Sequence, residues 1–308
     1  MKEKIAVIIP ALNEEMTIAN VVRDFKKELP NARVIVYNNN STDKTAEYAK
    51  KAGAELRTVM MRGKGRVMQH SFEDIKADIF VIVDGDDTYP AEAVHKLIEP
   101  VASRQADMAV GSRMGHFRKE KRGITHRIGN KIILWALKFC FPAEINDLLS
   151  GYRVLSKELV RELNLLSMGF AVETELTVKT LEAGYKIKEI PIEYRARPHG
   201  SESKLDSFSD GIYIMTTVLE LFRDYRPMQF FLALSIIPFC LSAGFAYSVF
   251  ADYAKYNTLI HVTNLIFAGF FILITLILWS MGFIASSVHK SNREIMHMLK
   301  KIKHKGSK

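Results

Sequence analysis

A chain of 308 residues with 48% hydrophobic and 25% charged side chains has room for one large domain and a small appendage, and this composition excludes a disordered protein. Its net charge of +9 is uneven, with seven Lys or Arg between Lys290 and Lys308 against one acid, Glu294; beside a hydrophobic stretch, such a tail points to an anionic membrane surface rather than to nucleic acid. The two cysteines, Cys140 and Cys240, form no CxxC pair, which excludes a cysteine metal site and fits a reducing compartment.

The apolar run Ile5–Ile9 is too short for a signal peptide and lacks a small-residue cleavage site, so it reads as a first buried strand, with the N-terminal part expected in the cytoplasm. Ile18, Val21, Val22 and Phe25 give 14–28 a helical period. Strands are expected at 32–37, 55–59, 79–83 and 108–111, and helices at 42–51, 65–75 and 91–101. Alternation of short apolar strands with helices predicts an α/β fold with a parallel sheet covered on both faces. Ligands of such sheets bind beyond the carboxyl ends of the strands.

From 115 to 129 the chain is basic and reads as a loop entering a helix through 138. A turn and strand at 147–155, a helix at 170–183 and an edge strand at 186–194, where Pro191 is tolerated, come next. A loop rich in Arg, Lys, Gly, Pro and Ser spans 195–204, and 208–225 has the spacing of an amphipathic helix lying along a bilayer. Residues 229–250 and 258–287 carry no Asp, Glu, Lys or Arg. Each can cross about 30 Å of hydrocarbon, and the flanking Lys and Arg place both outer ends in the cytoplasm. The expected organisation is a domain at 1–205, a juxtamembrane helix at 206–228, a two-helix membrane hairpin at 229–288 and a basic tail at 289–308.

Three polar clusters follow predicted strands. Asp84-Gly85-Asp86-Asp87 can hold a hard divalent ion while that ion bridges a diphosphate, and Gly85 permits close backbone approach. An acidic surface turn has the same composition. Asn38 to Asp43 either makes a turn that caps the next helix or contacts a base or ribose, and Asn13-Glu14-Glu15 has the same two readings. Glu173 and Glu175 either face an acceptor-side pocket or cap a helix. Convergence of the clusters at neighbouring strand ends would build a nucleotide crevice.

Ile9-Pro10-Ala11-Leu12-Asn13-Glu14, Asn40-Ser41-Thr42-Asp43, Asp84-Gly85-Asp86, Gly111-Ser112-Arg113, Gly129-Asn130, Asp147 with Ser150-Gly151-Tyr152-Arg153, and Arg197 to Lys204 occur in the order seen in family 2 glycosyltransferases. The chain resembles the branch of dolichyl-phosphate mannose synthases and polyprenyl-phosphate glucosyltransferases. That resemblance implies a GT-A fold and a Mg²⁺ or Mn²⁺ ion held by Asp84 and Asp86 on a donor diphosphate. It also implies a nucleotide site of Pro10, Leu12, Asn13, Glu14, Asn38, Asn40, Asp43 and Gly85. Arg113 would meet the acceptor phosphate, and Arg197 and Lys204 the donor phosphates; Arg122 and Arg127 are further candidates for the acceptor phosphate, or belong to an ordinary solvated basic loop. The family commonly has Asp where this chain has Asn38, which removes a charge beside the base.

The implied reaction is transfer of a hexose or N-acetylhexosamine from a UDP-sugar to dolichyl or undecaprenyl phosphate, with inversion. GDP-mannose as donor, or a membrane-tethered nucleotide-sugar-binding scaffold, are the alternatives. Membrane lipid and a homo-oligomer are the further partners implied. A multi-pass cell-membrane protein with its catalytic domain and termini in the cytoplasm is expected.

Overall fold

The computed structural model describes residues 3–113, 145–167, 169, 172–197, 215–216, 219–220 and 222–305. The expected helix through 138, with Arg122 and Arg127, lies outside them, as do Lys204 and most of the 208–225 segment. The chain forms two units, Met1–Val218 and Leu219–Lys308.

The first unit runs β1 (Ile5–Ala11), α1 (Ile18–Glu28), β2 (Arg33–Asn38), α2 (Thr45–Lys51), β3 (Glu55–Thr58), α3 (Lys64–Asp74) and β4 (Ile79–Ile82). A 3₁₀ turn at Ala91–Ala93 leads into α4 (Val94–Ala102), then β5 (Met108–Ser112), β6 (Arg153–Ser156), α5 (Lys157–Glu162), α6 (Val172–Glu182) and β7 (Ile187–Pro191). The sheet order is β3-β2-β1-β4-β6-β5-β7. Both parities of the inner strands are apolar, so both faces need a cover. Val7, Ile9, Val36 and Val81 pack with Val22, Phe25 and Leu97 on one face. Ala6, Ile8, Ile35 and Phe80 pack with Met68 and Leu176 on the other. Each large aliphatic side chain removed from water there contributes about 1.5–3 kcal/mol.

The expectation of a parallel sheet needs one correction. β6 runs antiparallel to β4 and β5, with Phe80 opposite Leu155 and Ala109 opposite Val154. A strand buried on both faces has the same apolar run in either direction, so its own residues do not encode polarity. The edge position of the strand ending in Pro191 agrees with the structure.

α1 and α2 start later than their periodicity suggests. Asn13 has φ 53°, and a turn accepted by the Glu14 carbonyl precedes Ile18. Before α2, the Asp43 carboxylate accepts from the Thr45 N–H at 3.0 Å in an Asx turn.

The second unit contains α7 (Pro227–Tyr256) and α8 (Val262–Lys305), both long and apolar enough to cross a membrane. Pro227 occupies the first turn of α7, where its missing N–H is harmless, and Asn257 ends it in the left-handed region. Ile237, Phe250, Ile266 and Phe283 are more than 60% exposed, the reverse of a water-soluble bundle and the pattern of a membrane anchor. Polar groups turn instead toward the partner helix: Trp279 Nε1 donates to Ser235 Oγ, Ser242 Oγ to the Ala268 carbonyl, and Asn264 Nδ2 to Ser248 Oγ, each at 2.9 Å. α8 continues through Lys305, so the basic segment after 288 is helical that far.

Candidate active site

Adjacency of β2, β1 and β4 sets the three polar clusters side by side at their carboxyl ends. The loops after β1 and β2 are stitched together. The Asn13 N–H donates to Ser41 Oγ at 3.1 Å, and Asn13 Oδ1 accepts from the Thr42 N–H at 2.8 Å. The Glu14 N–H donates to Thr45 Oγ1 at 2.8 Å, and the Glu15 N–H to Asp43 Oδ2 at 3.1 Å. Both Asp43 oxygens thus hold backbone. Partial burial raises the pKa of this carboxyl, but bonds from Thr45 and Glu15 outweigh that and leave it below the ordinary range. Asn38 Oδ1 accepts from the Ser41 N–H at 3.1 Å, and Asn40 takes φ 59°, which Asn tolerates. Pro10 pairs in register with Tyr37, and Leu12 follows the last β1 residue.

β4 delivers the carboxylates. Thr17 Oγ1 donates to the Gly85 carbonyl at 2.7 Å, tying the start of α1 to the Asp84-Gly85-Asp86 turn. Asp86 is 4% exposed; its Oδ1 accepts from the Thr88 N–H and Oγ1 at 3.2 and 2.6 Å, and its Oδ2 meets Arg197 Nη2 at 2.5 Å. Burial, and then the negative charge of Asp84, push the Asp86 carboxyl above its usual value, against the pull of Thr88 and Arg197. Asp84 Oδ1 meets Lys64 Nζ at 2.5 Å. Gly151 leaves room for the other oxygen, because a Cβ there would lie 2.2 Å from Asp84 Oδ2.

Two carboxylates crowded at one strand end are hard oxygen donors. Among the described residues no three Asp, Glu, His or Cys side chains gather as a metal site. A pair of carboxylates fits an ion such as Mg²⁺ that completes its shell with diphosphate oxygens and water. The ion would compete with Arg197 for Asp86 Oδ2.

At the end of β5, Arg113 is bidentate on Asp147, with Nε to Oδ2 at 2.8 Å and Nη2 to Oδ1 at 2.7 Å. The Arg113 N–H also donates to Asp147 Oδ2 at 2.9 Å, and the guanidinium carbon lies 5.5 Å from the centre of the Tyr194 ring. Asp147 is only 2% exposed, so this pair is fixed by both charge and shape.

Several supporting residues had no role of their own in the sequence reading, and Lys64 did not appear in it. Arg153, 1% exposed, donates from Nη2 to the Leu148 carbonyl at 2.6 Å, from Nε to the Ser150 carbonyl at 3.0 Å and from Nη1 to Thr177 Oγ1 at 2.8 Å. It clamps the turn that carries Asp147 and Gly151. Asn39 Nδ2 donates to the Val59 and Met61 carbonyls at 3.0 and 2.8 Å while its Oδ1 accepts from the Gly63 N–H at 2.7 Å. Lys64 also bonds Glu173 Oε1 at 2.5 Å. Burial opposes the Lys64 charge, yet Asp84 and Glu173 hold its ammonium well above the usual lysine range. Glu175 accepts from the Leu166 and Ser167 N–H groups, both at 2.8 Å, so it holds the loop ahead of α6 rather than capping a helix. The Gly63-Lys64-Gly65 run was the available signal, since flanking glycines suit close packing around one long side chain.

A family model described as Glycosyl transferase family 2 matches residues 6–163. The glycosyltransferase AglJ of Haloferax volcanii is 34% identical over 230 residues, covering 74% of this chain and 75% of the relative. A dolichyl-phosphate hexose transferase of the same organism is 27% identical over 224 residues, covering 73% and 96%. Among solved structures, glucosyl-3-phosphoglycerate synthase from Mycobacterium tuberculosis, in complex with Mn²⁺, UDP-glucose and phosphoglyceric acid, superposes with a TM-score of 0.60. It is 24% identical, with 71% of this chain and 80% of that chain covered. The first unit thus has a GT-A-like α/β fold, followed by the pair of apolar helices.

Proposed function

This chain belongs to glycosyl transferase family 2, and from that premise we propose that it moves a sugar, with inversion, from a nucleotide sugar to a polyprenyl phosphate at a membrane. The observation that carries the proposal is the Asp84–Asp86 carboxylate pair at the end of β4, flanked by Lys64 and Arg197. A Mg²⁺ or Mn²⁺ ion bound here would supply positive charge to the leaving diphosphate. Asp84 and Asp86 would hold it, with Arg197 and Lys204 as the cations for the donor phosphates. Pro10, Leu12, Asn13, Glu14, Asn38, Asn40, Asp43 and Gly85 shape the nucleotide side.

Arg113, oriented by Asp147 and Tyr194, faces the acceptor phosphate, with Arg122 and Arg127 as further cations. A monoester phosphate has a second pKa near 6, so at neutral pH much of it is already the dianion and needs orientation more than a protein base. Direct displacement then inverts the anomeric carbon. The apolar hairpin supports a lipid acceptor, because a long isoprenoid stays in the bilayer and its phosphate must be met at the interface. On this reading residues 1–205 are the catalytic domain, 206–228 a juxtamembrane helix and 229–288 the anchor, and Lys and Arg at both flanks put the termini in the cytoplasm. The M. tuberculosis complex with Mn²⁺ and UDP-glucose supports the metal and a UDP-sugar, with GDP-mannose the competing donor.

Labelled UDP-glucose, UDP-N-acetylglucosamine and GDP-mannose are incubated with the full chain, with and without polyprenyl phosphate, and the lipids are extracted. Label in the lipid phase that needs the acceptor and is lost on chelation is expected. Transfer only to water-soluble acceptors would overturn the lipid assignment, and activity unaffected by a chelator would overturn the metal.

A further inference from the structure

Lys64 begins α3 directly after Gly63, whose φ of 132° suits glycine. The loop ahead of it is pinned by Asn39 at Val59, Met61 and Gly63. The backbone therefore brings the ammonium to a defined place, where Asp84 Oδ1 and Glu173 Oε1 each lie 2.5 Å from Nζ. These carboxylates come from different elements, the end of β4 and the first turn of α6. Lys64 is the shared cation that lets them approach; without it two like charges would face each other in a poorly solvated site.

The second oxygen of Glu173, Oε2, is buried with no hydrogen-bond partner among the described residues. Its charge is balanced at contact distance by Lys64, with Arg153 acting at longer range. Glu173 is tied to Lys64 through Oε1 and anchors that ammonium in turn. Asp84 is constrained twice, by Lys64 at Oδ1 and by the Gly151 backbone beside Oδ2.

Resting on the reading that Asp84 serves the donor, we infer that Lys64 is a positioning residue: anchored by Glu173, it orients Asp84 and sets the net charge of the donor site. Groups behind a ligating carboxylate commonly govern its affinity in this way. Charge bookkeeping separates this role from direct contact between Lys64 and a donor phosphate. Lys64→Met leaves two carboxylates with no shared cation, whereas Lys64→Met combined with Glu173→Gln removes one charge of each sign. If Lys64 acts by positioning, the second change relieves the repulsion around Asp84 and restores donor binding. If Lys64 grips phosphate, it restores nothing.

The test uses the full chain in detergent. Binding of UDP-glucose and of GDP-mannose, each with Mg²⁺, is titrated calorimetrically, transfer rates are measured against donor and acceptor separately, and thermal unfolding is recorded without ligand. Lys64→Met is expected to weaken binding of the donor that the wild type uses by about 10- to 100-fold, with little change in the KM for polyprenyl phosphate. The double variant should recover most of that loss. Lys64→Met that binds donor like the wild type, or a double variant as weak as the single one, overturns the inference. If Lys64→Met does not fold, Lys64→Arg replaces it, and its expected result is a donor KM raised with the acceptor KM unchanged; equal rises in both would overturn the assignment. A wild-type chain that binds and transfers neither donor refutes the functional reading itself, and the role of Lys64 falls with it.

Discussion

Replacing Gly151 by Ala places a methyl group 2.2 Å from Asp84 Oδ2, 2.7 Å from Cγ and 2.9 Å from Oδ1. Ordinary contact begins near about 3.5 Å, so roughly 1 Å of separation must be found. The Asp84 carboxylate yields only by leaving Lys64 Nζ, 2.5 Å away. The 151 backbone withdraws only by losing the bond from its N–H to Tyr89 Oη at 3.0 Å. Overpacking of this kind costs about 1–3 kcal/mol, a fall in Tm of several degrees for a domain of this size. A reacting geometry displaced by about 1 Å loses roughly 10²-fold in rate. Initial rates of the purified full chain should therefore show donor kcat/KM down by about that factor, with the KM for polyprenyl phosphate little changed. Gly111→Ala is the control. Its Cβ would lie 2.6 Å from Ile192 Cδ1, the far end of an aliphatic chain that can turn aside, so stability and donor kcat/KM should both fall much less than in Gly151→Ala. A Gly151→Ala enzyme with wild-type donor kcat/KM would refute the placement of Asp84 in the donor site.

Arg113→Lys cannot reproduce the bidentate contact with Asp147, and the KM for polyprenyl phosphate should rise about tenfold while the donor KM holds; equal losses for both substrates would count against an acceptor role. Asp43→Ala removes acceptors from the Thr45 and Glu15 N–H groups, and urea denaturation at pH 7 should show a loss of about 1 kcal/mol. Because the folded Asp43 carboxyl is held below its unfolded value, its contribution is present above about pH 4 and disappears as pH falls through the lower, folded pKa. The gap between wild type and variant should close in acid, and a gap unchanged at pH 3 would contradict the assignment. Trp279→Phe deletes the bond to Ser235 between α7 and α8, and unfolding of the full chain in mixed micelles should show a loss of about 0.6 kcal/mol; unchanged stability would mean that this bond contributes nothing.

Much of the candidate site was legible because its residues stand at or just beyond the ends of strands. Asp84, Asp86, Asn13 and Asn38 stand where an apolar run stops, and short apolar strands interleaved with helices imply adjacent strand ends. The charge-free stretches at 229–250 and 258–287 were equally readable, since lipid imposes a length and an apolarity that few soluble helices share. Arg153 was visible only as part of a motif, because nothing near it in sequence indicates that its guanidinium would be buried against the Leu148 and Ser150 carbonyls.

Sequence alone therefore determined most of the described elements, though not α5, together with the two-faced burial of the sheet, the apolar hairpin and the polar residues at the strand ends, since each depends on periodicity or on the nearest few residues. Tertiary structure decided the antiparallel sense of β6, the pairing of Arg113 with Asp147 and the sharing of Lys64 between Asp84 and Glu173. Those contacts join residues far apart along the chain. Their charges are tolerated in the interior only because folding brings an opposite charge within hydrogen-bonding distance, and no local pattern of residues records which partner that will be.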